Sequence, residues 1–380
     1  MKQGWEIKKL GEVAHISPSK SEVKTFALNP MDMVSFLPME DLTIGRTFVH
    51  PNKQKTLSEV EGSYTYFKEG DVLLAKVTPC FENGKLAIAK GLCNNIGFGS
   101  SEYIVIRPMQ HIVNSQYLIY LLQTNAFRNG GRTLMIGACG LKRLPKPYVA
   151  NYELPVPSLA EQKRIVEILD REFERIDALK ANAEQNLQHA KDLFQAALRQ
   201  ELQCDKYHAL NEVYNIKTGK LNSNAAEEGG IFPFFTCSRE IFAINTYAFD
   251  CEAILLAGNN ASGDFNVKYY NGKFNAYQRT YVITAKDEKT NVRILYYILT
   301  HYLADLKQMS LGANTKFLKL GMIEDIRIPD FNEHQMRNVV ARLDNLNERC
   351  QALEENYKKT IALCDDMKQA LLRKAFNGEL

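Results

Sequence analysis

At 380 residues the chain is too long for one ordinary core, which usually takes ~100 to 200 residues, so at least two units are expected. Hydrophobic content of 45% and charged content of 24% are those of an average globular chain and exclude a disordered protein or a disulfide miniprotein. The 47 Lys and Arg against 44 Asp and Glu leave a net charge of +3, too balanced to name a nucleic acid or an anionic membrane as partner.

The opening Met1-Lys2-Gln3-Gly4-Trp5-Glu6-Ile7-Lys8-Lys9-Leu10 is charged and lacks the apolar stretch of a signal peptide. The chain has no run of about 18 uncharged apolar residues, so a soluble cytoplasmic protein with no membrane span is expected. Short β-branched and aromatic runs, Val72 to Val77 and Tyr103 to Ile106, read as strands broken by Gly, Asn and Pro. Pro155 and Pro157 then hold the chain extended, and Ser158-Leu159-Ala160-Glu161 is a capping box opening a helix that runs to about Leu202 without Gly or Pro. Further strands are expected at Ala253 to Ala257 and Tyr281 to Ile283. A second long helix starts after Pro329, capped by Asp330 or Asn332, and ends near Phe376 before Asn377-Gly378.

The second half restates the first. Leu10-Gly11-Glu12-Val13 returns as Leu210-Asn211-Glu212-Val213, and Val72-Leu73-Leu74-Ala75-Lys76 as Ile254-Leu255-Leu256-Ala257-Gly258. Glu102 to Val105 matches Thr280 to Ile283, the helical stretch Asn114 to Leu122 matches Asn291 to Leu299, and Gly137-Ala138 matches Gly312-Ala313. Pro157 to Gln162 answers Pro329 to Gln335. Six matches in one order indicate a duplicated unit. The resulting division is a first β-rich domain over 1–157, a first long helix over 158–203, a second β-rich domain over 204–329 and a second long helix over 330–380.

Both helices carry heptads. Val166, Leu169, Phe173, Ile176, Lys180, Ala183, Leu187, Ala190, Phe194 and Ala197 alternate spacings of three and four. Val339, Leu343, Leu346, Cys350, Leu353, Tyr357, Thr360, Cys364, Met367 and Leu371 do the same in the second. Each seam needs a partner, and the simplest is the other helix, returning antiparallel. At ~1.5 Å per residue such a pair is about 50 Å long, a ruler between two similar domains related by an approximate twofold. The fold class expected is α+β, two β-rich domains separated by an antiparallel pair of long coiled-coil helices.

The motifs of self-contained enzymes are missing: no phosphate loop, no dinucleotide-binding glycine pattern, no His-Glu-x-x-His and no nucleophile elbow. Asn29-Pro30-Met31-Asp32 lacks the second proline and the aromatic that would stack on a flipped adenine, and reads as a turn. The eight cysteines (Cys80, Cys93, Cys139, Cys204, Cys237, Cys251, Cys350 and Cys364) form no Cys-x-x-Cys pair, and the seven histidines are scattered, so no metal is expected.

Polar and basic residues of the domain loops remain. In the first domain these are Lys76, Thr78, Asn83 and Lys85, directly after a buried strand, with Arg132, Lys142 and Arg143. In the second they are Asn259, Asn260 and Ser262, then Lys268, Gln278 and Arg279, with Lys217, Lys220 and Lys316. Arg reads guanine, Asn or Gln reads adenine, and Lys meets phosphate, so these are the candidate DNA-reading residues; ordinary solvated loops have the same composition. Residues 1–157 hold 18 Lys and Arg against 13 Asp and Glu, whereas residues 204–330 hold 14 of each. Phosphate neutralisation by excess charge is therefore small, and basic partners would have to share it.

The duplicated domain and the Leu154-Pro155-Val156-Pro157-Ser158-Leu159-Ala160-Glu161-Gln162 approach to a long helix together resemble the specificity (S) subunit of type I restriction-modification enzymes. Further matching stretches are Trp5 to Glu12, Gly70 to Lys76, Asn83-Gly84-Lys85, Gly97 to Glu102 and Phe274 to Thr280, so the resemblance covers essentially the whole chain. The second helix departs from the pattern, with His334 inserted between Glu333 and Gln335 and Met336 where Lys is usual. The resemblance implies a subunit without catalysis of its own, whose two target-recognition domains each read one half of a bipartite, asymmetric site in double-stranded DNA. It implies that the helices set the gap and dock two methyltransferase (M) subunits, with restriction and translocation (R) subunits joining. S-adenosylmethionine, ATP and Mg would be bound by those partners and no cofactor by this chain. The alternatives are a coiled-coil scaffold that holds protein, or a self-contained DNA methyltransferase or nuclease.

Overall fold

Strand Val72–Ala75 has no exposed side: Val72 and Leu74 enter one hydrophobic core while Leu73 and Ala75 enter another. The alternation is the period-two signature of a strand buried on both faces, and it organises the first of two compact units. The computed structural model describes residues 4–138 and 140–380; Cys139 lies outside the described residues. Unit one comprises Met1–Asn182 with Thr360–Leu380, and unit two Ala183–Lys359.

Unit one opens with β1 (Glu6–Lys9), α1 (Leu10–Val13) and β2 (Ala14–Ile16). Next come β3 (Met33–Leu37), β4 (Phe48–Val49), β5 (Lys53–Thr56), α2 (Leu57–Val60) and β6 (Thr65–Lys68). Strands β7 (Val72–Ala75), β8 (Leu86–Ala89), β9 (Ile96–Gly99) and β10 (Tyr103–Pro108) precede α3 (Ser115–Leu122) and α4 (Asn125–Thr133). The hairpin β11 (Ile136–Ala138) and β12 (Leu141–Arg143), α5 (Lys146–Asn151) and β13 (Glu153–Val156) lead into α6 (Leu159–Glu201). The main sheet has the order β2-β10-β7-β8-β4 and a second sheet the order β5-β3-β9-β6. Val72, Leu74, Ile88, Ile104 and Ile106 pack on α3, whereas Leu73, Ala75, Val105 and Tyr103 meet Leu37 and Phe67 of the second sheet.

Unit two repeats the plan with β14 (Tyr207–Ala209), α7 (Leu210–Val213), β15 (Tyr214–Thr218), β16 (Phe232–Phe235), β17 (Phe242–Ile244) and β18 (Phe249–Ala257). It continues with β19 (Asn259–Asn260), β20 (Val267–Ala276), β21 (Thr280–Ala285), α8 (Val292–Met309), β22 (Lys316–Phe317), α9 (Leu320–Glu324), β23 (Arg327–Pro329) and α10 (Glu333–Asn377). Its sheet order is β15-β21-β18-β20-β16-β17. Ile254 and Leu256 face the core of α8, while Ala253 and Leu255 meet an aromatic cluster where the Phe249 and Phe274 rings stack 5.0 Å apart. The antiparallel β16–β17 and parallel β16–β20 pairs of unit two repeat the antiparallel β3–β5 and parallel β3–β9 pairs of the four-stranded sheet, joined in unit two to the main sheet through the long β20.

The duplication is visible bond by bond. Leu10 and Leu210 donate their amides to Tyr152 and Ile326, each at 2.9 Å, while Glu12 and Glu212 accept from the amides of Lys9 and Ala209. Asn114 and Asn291 cap α3 and α8. Tyr120 on α3 donates its hydroxyl to Asp170 of α6, and Tyr297 on α8 donates to Asp344 of α10. Asp344 also takes Arg293 at 2.7 and 3.0 Å. Each β-rich domain is thus latched onto the long helix that comes after it by a phenol-to-carboxylate bond.

Ser158 accepts from the Glu161 amide at the start of α6. At the start of α10 Asn332, not Asp330, is the cap, because Asn332 and Gln335 exchange amide bonds at 2.9 Å in a closed capping box. Within unit one the two long helices run antiparallel, with Asp177 on Lys368 at 2.5 Å and Lys180 on Asp365 at 2.8 Å. Within unit two Glu201 meets Arg342 at 2.5 Å in the same sense. Val166, Leu169, Ile176, Val339 and Leu343 are buried, and Phe173, Leu187, Phe194, Leu346, Tyr357 and Leu371 half-buried. Two positions assigned to the second seam are corrected: Leu353 and Met367 are 41% and 42% exposed, and their neighbours Glu354 and Lys368 turn further in. Cys350 and Cys364 of the same seam stay buried on either side of Leu353, so the seam keeps its register and turns its 354 and 368 side inward in place of 353 and 367.

Unit one also buries a charge network. Arg107 on β10 grips Asp71 through two bonds of 2.7 Å and reaches Glu22 as well. Burial raises the Asp71 carboxyl above the ordinary aspartate value, against the pull of Arg107 and the Lys68 amide. Removing the cation leaves a buried carboxylate uncompensated. Arg107→Met is expected to lower the unfolding free energy of unit one by about 3–5 kcal/mol in urea denaturation, and Asp71→Leu added to it should recover part of that loss.

Candidate nucleic-acid interface

The two central strands end at equivalent places, and the residue after each is held by the same pair of backbone bonds. After β7, Lys76 donates its amide to Glu102 at 2.9 Å and accepts from the Leu144 amide at 2.7 Å. After β18, Gly258 donates to Arg279 at 2.9 Å and accepts from Leu318 at 2.9 Å. Three segments therefore meet at one edge of each unit: the end of the central strand, the turn before β10 or β21, and the strand before α5 or α9. The side chains there differ completely. Lys76, Glu102 and Arg143 occupy the edge of unit one where Gly258, Arg279 and Phe317 occupy that of unit two.

In unit one the candidate residues divide into two groups. Arg143 lies exposed and forms a bidentate pair with Glu102 at 2.7–3.1 Å. That guanidinium is the main reason the Glu102 carboxyl ends below the ordinary glutamate value, burial opposing it and Lys76 adding to it. Asn83, Arg132 and Lys142 are exposed. Lys76, Thr78 and Lys85 are instead occupied. The Lys76 ammonium donates to the Ser101 carbonyl at 2.8 Å and that of Lys85 to Met39 at 3.1 Å. Thr78 accepts from the Lys142 amide at 2.7 Å, so it anchors the β11–β12 hairpin. Gly84, at φ +74°, sits under the Arg128 guanidinium, which donates to Glu82 at 2.6 Å.

In unit two Arg279 and Gln278 are exposed, Gln278 touching Asn222 at 3.0 Å. Asn259 and Asn260 pair with Phe317 and Lys316. The Asn260 side-chain oxygen accepts from the Ser262 amide, the Ser262 hydroxyl and the Asp264 amide at 2.9–3.1 Å, which closes the loop on itself. Lys268 donates to the Ser238 carbonyl and to Asn266, both at 2.6 Å, and burial lowers its ammonium below the ordinary lysine value. Lys316 packs beside Gly263, as does Lys307 of α8. Arg239 pairs with Asp264 at 2.5 Å. Lys217 lines a hollow with Glu252, Asp287 and Glu288, an acidic setting, and Lys220 is exposed just beyond β15.

The structure thus brings Asn83, Arg132, Lys142 and Arg143 to the surface of one unit, and Gln278, Arg279 and Lys316 to the edge of the other. Glu102, Arg128, Arg239 and Lys307 were not among the residues selected from sequence. A signal existed only for Glu102, which ends the Gly97 to Glu102 stretch; the others are single cations in loops and helix ends. Among the described residues no group of three His, Cys, Asp or Glu could hold a metal ion, and no helix is long and apolar enough to cross a membrane.

The family model for the type I restriction modification DNA specificity domain matches residues 2–189 and again residues 206–363. The chain belongs to this family. Its two matches coincide with the repeat, so each DNA specificity domain carries one of the two edges. A stretch of 164 residues, 43% of this chain, is 38% identical to the specificity subunit of the type I restriction enzyme EcoEI of Escherichia coli and spans 27% of it. The chain therefore matches about a quarter of the length of that curated relative. Two solved structures share the fold over 100% of this chain. One, reported with the complex assembly and conformational transition of the type I R-M system, has a TM-score of 0.81 at 20% identity over 99% of its chain. The other, the HsdS subunit from Thermoanaerobacter tengcongensis, has a TM-score of 0.62 at 19% identity over 98% of its chain. The α+β class and the duplication expected from sequence are those of these structures.

Proposed function

We propose that this chain is the DNA-reading subunit of a type I restriction-modification complex, in which each specificity domain reads one half of a bipartite, asymmetric site in double-stranded DNA. The observation that supports this reading is the pair of backbone-equivalent edges with unlike side chains. A common frame presents a Glu102-braced Arg143 in one domain and an exposed turn with Gln278 and Arg279 in the other, so the two halves of the site differ. Pairing with Glu102 holds the Arg143 fork in one orientation, which is what a bidentate contact to guanine requires. Lys142, Lys316 and Arg132 supply phosphate contacts that position the domains without reading sequence.

The two long helices, each shared between both units, set the gap between the half-sites in this proposal, as the spacing of coupled readers fixes half-site separation. Their outer faces dock two methyltransferase subunits, and restriction and translocation subunits join that assembly. S-adenosylmethionine, ATP and Mg then belong to those partners, in keeping with the missing cofactor motifs of this chain. The low net charge fits an arrangement in which partner subunits contribute much of the phosphate neutralisation.

Selection from a random duplex library by the full chain with its methyltransferase subunits tests the reading. Arg143→Ala is expected to relax one half of the selected site and Arg279→Ala the other, each costing about 1–3 kcal/mol of discrimination at one position. Equal loss in both halves from either change contradicts modular reading, and absence of any enriched sequence favours a protein scaffold. The purified chain alone, supplied with S-adenosylmethionine or with ATP and Mg, is expected neither to methylate nor to cut DNA; turnover would return the assignment to a self-contained enzyme.

A further inference from the structure

One element does not obey the rule that the frame is shared while the side chains differ. The β11–β12 hairpin of unit one and the Leu311–Phe317 hairpin of unit two keep part of their chemistry, an apolar residue before a Gly-Ala pair and a lysine on the return arm, although Arg143 of one stands where Phe317 stands in the other. In both, a Gly-Ala pair occupies the first arm. An added Cβ would fall 2.4 Å from the Leu141 carbonyl oxygen at Gly137 (φ +144°) and 2.0 Å from that of Thr315 at Gly312 (φ +104°). Only glycine permits these close approaches, so the pinched hairpin is built into each copy. In both, a lysine lies two residues before the leucine whose amide bonds the end of the central strand: Lys142 before Leu144, and Lys316 before Leu318.

In both copies the hairpin also exposes large apolar side chains. Ile136 is 71% and Leu141 51% exposed, and every residue of β11 and β12 is open. Leu311 and Phe317 are 39% and 38% exposed. The hairpins rise from the two candidate reading edges, with Arg132 near one in sequence and Lys307 near the other. Apolar residues bordered by cations complement a surface that is anionic outside and apolar within. A duplex has this character: phosphates line the groove and base faces lie between them.

We propose that the paired hairpins are DNA wedges, resting on the DNA-reading function above. Ile136 and Leu141 in one half-site, and Leu311 and Phe317 in the other, press between or against bases and unstack a step, while Lys142 and Lys316 neutralise the adjoining phosphates. A two-stranded ribbon is narrow enough to enter a groove. The pairs Ile136 with Lys142 and Leu311 with Lys316 recur at equivalent places, with a second apolar side chain on opposite positions of the return arm, Leu141 in one copy and Phe317 in the other, because unstacking, unlike base reading, is needed at each half-site whatever its sequence. Modification of a base inside a duplex requires the stack to open.

The test uses the full chain assembled with its methyltransferase subunits on duplexes carrying the site selected from the library, with permanganate as a probe of unstacked thymines. The intact complex should give reactive thymines in both halves. Ile136→Ser with Leu141→Ser should abolish that reactivity in one half only, and Leu311→Ser with Phe317→Ser in the other. Affinity for selected and scrambled duplexes should fall by the same factor, about tenfold, with the selected sequence unchanged. Lys142→Gln and Lys316→Gln should each flatten the slope of log affinity against log salt by about 0.9. Unaltered reactivity with failed assembly would make the hairpin a protein contact. A changed base preference at one position would make it a sequence reader, and either result overturns the wedge. If the intact complex enriches no sequence, the reading function itself fails; if it enriches one that shows no reactive thymine, only the wedge does.

Discussion

Each domain depends on a strand that has no face left for water. Val72–Ala75 and Ala253–Ala257 send alternate side chains into two cores, so their backbones are fixed by packing from both sides. Where such a strand ends, the next residue leaves the core at a set point. The amides of Leu144 and Leu318 return to that point from far along the chain and bond it. The edge is thereby held by main-chain groups, which every residue type provides.

That division of labour explains how one frame carries two chemistries. Since main-chain groups hold the edge, the side chains of Glu102 and Arg279 are free to differ, whereas at Gly258 an added Cβ would fall 2.4 Å from the Arg279 carbonyl oxygen, so that edge is closed by glycine where unit one carries Lys76. In the hairpin the close backbone approach demands glycine in both copies, at 137 and 312, and an exposed apolar residue before it and a lysine on the return arm come with it. In the functions proposed above, differing loops and a partly shared hairpin on the same edge serve two tasks, reading a sequence and deforming it. The phenol-to-carboxylate latches from Tyr120 to Asp170 and from Tyr297 to Asp344 tie each domain to its long helix.

Much of the fold was legible because it rests on local periodicity. The capping boxes at Ser158 and Asn332, the buried strands and the ordered repeat all arise from spacings within a few residues. Which side of the second seam turns inward was not legible, and Leu353 and Met367 fall on its open side while Cys350 and Cys364 stay buried. Side-chain direction in the loops was less legible still. Lys85 and Lys268 look like phosphate contacts by composition, yet their ammonium groups are taken by carbonyls 46 and 30 residues away. The brace of Arg143 by Glu102, 41 residues apart, was hidden for the same reason.

The proposed function places specificity in a few side chains on rigid edges and, the chain's charge being balanced, leaves much of the grip on phosphate to partners. The most direct measurement of that account is a genome-wide map of adenine methylation in host cells with and without this gene, its methyltransferase partner being present in both. The account predicts methylation, lost with the gene, at a site of two unlike halves separated by a gap of fixed length. A continuous or palindromic site, or a map that does not change when the gene is removed, would contradict it.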